Sequence, residues 1–110
     1  MNNFTMRAIS IIVGIPPGKV MAYGQIARLS GSPRGARQVV RILHSMSEKY
    51  ELPWHRVVNA KGEIAFRSED GADEQKERLQ AEGIIIQDNK VNLDEYLYHP
   101  EIDLIMMEGE

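Results

Sequence analysis

Tyr23-Gly24-Gln25-Ile26-Ala27-Arg28-Leu29-Ser30-Gly31-Ser32-Pro33-Arg34-Gly35-Ala36-Arg37-Gln38-Val39-Val40-Arg41-Ile42-Leu43-His44-Ser45 is the stretch whose reading decides the fold. A short helix is expected over Tyr23 to Leu29, because Ile26, Ala27 and Leu29 repeat at a helical spacing and turn inward together. Ser30-Gly31-Ser32 then forms a turn. Ser32 suits the N-cap of a next helix and Pro33 its first residue, where a missing N–H costs nothing. That helix is expected from Pro33 to Ser45, with Ala36, Val39, Val40 and Leu43 as its core stripe. Two short helices joined by a glycine-containing turn make a helix-turn-helix. Many such pairs only pack. Here Arg34, Arg37 and Arg41 recur at i, i+3 and i+7, so they share the outer face with no acidic partner in that helix. Such a face either waits for an anion, as a DNA backbone supplies, or merely solubilises the helix.

Outward from this unit, Phe4 to Val13 reads as a mostly buried helix. Gly14-Ile15-Pro16-Pro17-Gly18 must break it. On the other side, Ser47 to Leu52 is expected to be an irregular link into Leu52-Pro53-Trp54-His55-Arg56-Val57-Val58, a proline-delimited turn with a β-branched run behind it. Val57-Val58 and Ile64-Ala65-Phe66 suggest short strands around the turn Ala60-Lys61-Gly62, with Asn59 shaping that turn. Ala72 to Ala81 is polar and helical, closed by Gly83. Ile84-Ile85-Ile86 suits an extended segment, and Tyr96 to Pro100 a stretch packed on the body. The expected organisation is one domain over residues 1–100 and an acidic C-terminal tail over 101–110.

A chain of 110 residues with 43% apolar and 26% charged residues fits one compact domain around one core. No apolar run is long enough to span a bilayer, and Met1-Asn2-Asn3-Phe4-Thr5-Met6-Arg7 lacks the layout of a secretory signal. A cytoplasmic protein without membrane contact is therefore expected, nucleoid-associated if bacterial. With 0 cysteines there is neither a disulfide nor a thiolate metal site, and His44, His55 and His99 show no ligand spacing. No metal or cofactor is expected. The net charge of −3 argues weakly against nucleic acid, but its distribution reverses that argument. Met1 to Arg67 holds 10 Lys/Arg against 3 Asp/Glu, a net of +7, and Ser68 to Glu110 holds 3 against 13, a net of −10. Association with DNA follows the local field rather than the total.

Leu52-Pro53-Trp54-His55-Arg56-Val57-Val58 closely resembles the Pro-Cys-His-Arg-Val active-site motif of the O6-alkylguanine-DNA alkyltransferases. In those enzymes the cysteine accepts the alkyl group; here Trp54 stands in its place, and no other cysteine could substitute. An indole is neither ionisable nor nucleophilic near neutral pH. The pattern is similar to that of the alkyltransferase-like proteins, which bind alkylated DNA without repairing it. Ile15-Pro16-Pro17-Gly18-Lys19-Val20 and Met21-Ala22-Tyr23-Gly24-Gln25-Ile26-Ala27 also resemble family segments. Ser32-Pro33-Arg34-Gly35-Ala36-Arg37-Gln38-Val39-Val40 resembles the family's recognition helix.

The resemblance implies a mainly α fold with short strands, a winged-helix-like helix-turn-helix domain of the alkyltransferase C-terminal type. It implies a DNA-binding set of Tyr23, Arg34, Arg37 and Arg41, with Tyr23 pressing on the target nucleotide's phosphate and Arg37 filling the space left by the flipped base. Flipping loses stacking worth a few kcal/mol, and a planar guanidinium can stack in the gap. The implied lesion pocket comprises Tyr23, Pro53, Trp54, Val57 and Arg67. His55, Arg56 and Glu82 are the remnant of a proton relay that has no thiol to serve, retained as structural polar groups. Trp54 both plugs the vacated cysteine site and walls the pocket, while Arg67 would read the altered purine by a cation–π contact.

Two departures stand out. Ala22 replaces the usual Ser or Thr before the tyrosine, which weakens the N-cap, and Met46 falls where the enzymes carry a turn asparagine. The expected function is non-enzymatic binding of O6-alkylguanine in duplex DNA by a monomer that flags the lesion for nucleotide-excision repair proteins. The alternatives are a sequence-specific helix-turn-helix transcription regulator, or a hydrolase in which His55 and Glu82 activate water.

Overall fold

The structure is a computed structural model that describes residues 2–64 and 68–100. Helix α1 spans Asn3–Val13 and starts where the Asn2 side chain accepts a hydrogen bond from the Thr5 N–H at 2.8 Å. Strand β1 (Met21–Ala22) leads directly into α2 (Tyr23–Leu29), and α3 follows as Ala36–Tyr50. A 3-10 turn over Trp54–Arg56 runs into β2 (Val57–Val58), and α4 covers Glu69–Ala81. The chain then forms β3 (Ile86–Gln87), β4 (Lys90–Val91) and α5 (Leu93–Tyr96). The mainly helical architecture with short strands expected from the sequence is present.

Two apolar clusters hold these elements. One collects Ala8 and Ile12 of α1, Ile15, Met21, Ile26 and Ala27, Val39 and Ile42 of α3, and Leu52 and Val57 around the Trp54 turn. It locks the helix-turn-helix onto α1. The other collects Val20, Val58, Ile64, Leu79, Ile84 and Val91, and seats α4 and the C-terminal hairpin. The parallel pair β1–β2, with Met21 opposite Val57 and Ala22 opposite Val58, runs between them. Val57 faces the first cluster and Val58 the second, as the alternation of a strand requires.

The third helix departs from expectation at both ends. Ser32 is not its N-cap: the Ser32 carbonyl accepts from the Gly35 N–H at 2.9 Å, so Ser32-Pro33-Arg34-Gly35 is a turn and the helix begins at Ala36. Proline suits the second position of such a turn as well as it suits the start of a helix. Arg34 therefore precedes the helix. The expected link from Ser47 continues as helix to Tyr50, and Glu51 ends it in the left-handed conformation at φ 51°. Met46 accordingly lies inside α3, packed against the first cluster, rather than in a turn. Ile42, absent from the expected stripe, is only 5% exposed.

Strand Val57–Val58 pairs with β1, whereas Ile64 is not in a strand and donates its N–H to the Asn89 carbonyl. Ala65 and Phe66 lie outside the described residues. The turn between is shaped by Asn59, whose side-chain oxygen accepts from the N–H groups of Lys61 and Glu63. The segment after α5 lies against the body: Leu97 bridges to Val20, and the Tyr98 carbonyl accepts from the Gln25 side chain at 2.7 Å. The expected acidic tail, 101–110, lies outside the described residues.

Candidate nucleic-acid interface

Tyr23 opens α2 half-buried against the first cluster, and burial raises its phenol pKa. Ala22 has no oxygen with which to cap this helix. Its own N–H is held by the Gln25 side chain at 3.1 Å, the reciprocal half of a capping box. Arg34, Arg37 and Arg41 are all exposed, Arg37 and Arg41 one turn apart near the start of α3. No acidic residue occupies the first turn of α3, so these cations sit at the positive end of the helix dipole without a compensating charge in that turn. An approaching phosphate would supply it.

The loop carrying Trp54 is built from three consecutive backbone devices. The Leu52 N–H returns to the Ser47 carbonyl at 2.9 Å across the left-handed Glu51. Pro53, at φ −76° and ψ 66°, centres an inverse γ-turn in which the Trp54 N–H reaches the Leu52 carbonyl at 2.8 Å. The Arg56 N–H then meets the Pro53 carbonyl at 3.0 Å. Trp54 is half-buried; the His55 ring stands edge-on to it with centroids 6.3 Å apart, and the Arg78 guanidinium lies 5.5 Å from its ring centroid. His44, Ser47, Glu48, Glu51, Leu52 and Arg78 join Trp54 around an open cavity of about 470 Å³.

His55, Arg56 and Glu82 form one hydrogen-bonded group. Glu82 accepts from His55 Nε2 at 2.8 Å and from Arg56 through Nε and, at 2.6 Å, the terminal nitrogen. It also takes the Gly18 N–H at 3.0 Å, while Arg56 donates to the Ile15 carbonyl at 2.9 Å. The group thus ties the Ile15–Gly18 turn, the Trp54 loop and the end of α4 together. Burial alone would raise the Glu82 pKa, but the donors from Arg56, His55 and Gly18 outweigh it and hold the carboxyl at about 2. Burial lowers the His55 pKa, an effect that its bond to Glu82 offsets only in part. The imidazole therefore donates through Nε2, and its buried Nδ1 has no partner among the described residues.

Of the expected pocket residues, Val57 is 1% exposed inside the first cluster, paired with Met21, so it presents no surface to a ligand in this conformation. Arg67 lies outside the described residues. Two residues missed in the sequence enter the site from α4. Gln75 is 3% exposed and gives its amide N–H groups to the carbonyls of His55 at 3.1 Å and Val57 at 3.0 Å. Arg78 is the cation over Trp54. The signal was their spacing with Glu82 at i, i+3 and i+7, one helical face beside Leu79. Among the described residues no His/Asp/Glu group could hold a metal ion, and no helix is long and apolar enough to cross a membrane.

A basic helix-turn-helix beside a loop that presents an aromatic ring defines a DNA-binding class of domain. Residues 3–84 match the family described as 6-O-methylguanine DNA methyltransferase, DNA binding domain, and the chain belongs to that family. Its relatives place it in the alkyltransferase-like branch. It is 40% identical to a DNA base-flipping protein of Vibrio parahaemolyticus, over 91% of this chain and 100% of that one. It is 39% identical to alkyltransferase-like protein 1 of Schizosaccharomyces pombe, over 91% of this chain and 98% of that protein. The solved structure of that S. pombe protein in complex with damaged DNA containing O6-carboxymethylguanine superposes with a TM-score of 0.81 at 39% identity, covering 91% of this chain and 98% of the other. The O6-methylguanine methyltransferase of Mycobacterium tuberculosis superposes less closely, with a TM-score of 0.59 at 26% identity over 74% of this chain and 49% of the enzyme. The chain has no cysteine and so lacks an acceptor for methyl transfer to a thiol.

Proposed function

We propose that this protein binds O6-alkylguanine in duplex DNA, turns the damaged nucleotide out of the helix and releases the DNA chemically unchanged. The observation that carries this reading is Trp54 in the position of the acceptor cysteine, on a loop still braced by His55, Arg56 and Glu82. In this reading Tyr23 presses on the target phosphate, Arg37 fills the vacated stack, and Arg34 and Arg41 hold flanking phosphates. Trp54, Pro53 and Arg67 bound the space for the flipped base. The protein acts as a cytoplasmic monomer and marks the lesion for nucleotide-excision repair proteins.

The sequence-specific regulator loses support, because Arg34 precedes α3 and the helix itself carries only Arg37 and Arg41 of the expected row. The test compares matched duplexes carrying guanine or O6-methylguanine, with DNA and protein analysed after incubation. Tighter binding to the methylated duplex, with the methyl group still on the base, is expected. Recovered guanine or alkylated protein would refute the proposal.

A further inference from the structure

Helix α4 has the composition of a solvated surface helix, yet its side chains meet the Trp54 loop, and on the reading of Trp54 as a pocket wall they gain a role. We infer that Gln75 and Arg78 are positioning residues for Trp54, Gln75 acting on its backbone and Arg78 on its ring.

Among the described residues, Gln75 is one of the few buried polar ones, with Ser30 and His55. Its amide nitrogen bonds the carbonyls of His55 and Val57, which flank Arg56 in the loop. A side chain that satisfies two carbonyls of one loop fixes the direction in which that loop leaves the 3-10 turn. Three residues on, Arg78 brings its guanidinium within 5.5 Å of the Trp54 centroid, and Glu74 on the preceding turn lies 3.7 Å from the same guanidinium. Glu82, a further turn along, grips His55 and Arg56. One face of one helix therefore controls the loop's backbone, its ring and its charged pair.

The position of Arg78 has a consequence for recognition. A guanidinium over an indole is attracted to its π-face. It also occupies that face, so a base stacking on Trp54 must use the opposite one. Arg78 thus selects the working face of the wall and restrains the indole before DNA arrives. A preorganised wall binds more tightly than one that must be ordered on binding.

Trp54 is the sole tryptophan, so its fluorescence reports the ring directly in the free protein. The test uses Arg78→Met, which keeps an unbranched stem without the cation, Arg78→Lys, which keeps the charge without the plane, and Gln75→Leu. Arg78→Met should leave the thermal midpoint nearly unchanged, alter Trp54 emission and increase its collisional quenching by acrylamide. It should lower the affinity ratio between O6-methylguanine and guanine duplexes about two- to five-fold, the scale of an exposed cation–π contact. Arg78→Lys should recover part of both effects. Gln75→Leu should show the same fluorescence change together with a lower thermal midpoint, because it leaves two buried carbonyls without a donor.

Unchanged emission and quenching in Arg78→Met would overturn the inference. So would altered emission with an unchanged affinity ratio, or equal losses on both duplexes, which would make Arg78 a phosphate contact. If the unmodified protein showed no preference for the methylated duplex, the function proposed above would fail instead, and the fluorescence of the free variants would still decide whether these residues position the ring.

Discussion

Glu82 accepts from four donors that matter more to the fold than any chemistry does: His55 Nε2, the Nε and one terminal nitrogen along one edge of the Arg56 guanidinium, and the Gly18 N–H. Its carboxyl sits at about 2 against an ordinary 4.5, so the folded state holds it ionised where the unfolded chain would take up a proton. The stabilisation is complete above about pH 4.5 and is lost as pH falls towards 2, amounting to roughly 3 kcal/mol. His55 acts in the same direction at higher pH. Its pKa is lowered from 6.5, so protonation of the unfolded chain begins to erode stability as pH drops below that value. Urea unfolding between pH 7 and pH 3 should therefore show a steady acid loss, and Glu82→Gln should flatten its lower part. Removing one partner at neutral pH is harsher. Arg56→Ala leaves a mostly buried carboxylate short of its main donor and should cost about 2–4 kcal/mol. An unfolding midpoint in that variant equal to the parent's would show that the group is dispensable.

Among the elements, glycine sets two junctions. At Gly35, just before α3, an added methyl group would meet the Phe4 ring of α1 at 2.9 Å and the Ser32 carbonyl at 3.1 Å. The backbone just before α3 therefore lies in close contact with the Phe4 ring of α1. The Ser32-Pro33 capping signal misled because proline fits the second position of a turn as well as a helix start, and here the Gly35 N–H closes that turn on the Ser32 carbonyl. Gly62, at φ 81°, is stricter, since a Cβ there would run into the Val91 carbonyl. The same pair is joined by the Val91 N–H donating to the Gly62 carbonyl at 2.8 Å. Gly62→Ala should destabilise by about 2 kcal/mol or more, through a left-handed backbone plus overpacking, and Gly35→Ala by about 1–2 kcal/mol. Thermal melts of the two variants check the order. The first two helices were legible because their apolar spacing ended at breaker segments, 14–18 and 30–32. The β1–β2 pair was not, because two-residue strands show no alternation and their pairing is set by cores distant in sequence. The charged group of the site was legible through family resemblance alone, and Gln75 and Arg78 escaped because a polar helix conceals which of its residues turn inward.

At the scale of the whole molecule, charge changes sign along the order of the elements. Among the described residues, 2–64 carry a net +6 and contain α1, the helix-turn-helix and the Trp54 loop, while 68–100 carry a net −6 and contain α4 and the hairpin of β3 and β4. A polyanion is attracted by the exposed Arg34, Arg37 and Arg41 and repelled by the acidic α4, which favours encounters through the helix-turn-helix. Affinity for undamaged duplex should then fall with salt through a few phosphate contacts, a log–log slope of about −3 to −5. Arg41 and Arg37 separate the two contributions. Both are exposed on α3, with Arg37 nearer the helix start. Arg41→Ala should weaken damaged and plain duplex alike and make the slope shallower by about one, leaving their ratio unchanged, as the loss of one phosphate contact requires. Arg37→Ala should weaken both but cost more on the O6-methylguanine duplex, because an inserted guanidinium compensates for lost stacking only when the base is out. Salt titrations of both variants on both duplexes distinguish the roles. Equal losses in Arg37→Ala on the two duplexes would reduce it to a second phosphate contact, and the stabilisation of a flipped state would have to come from Tyr23 and Trp54.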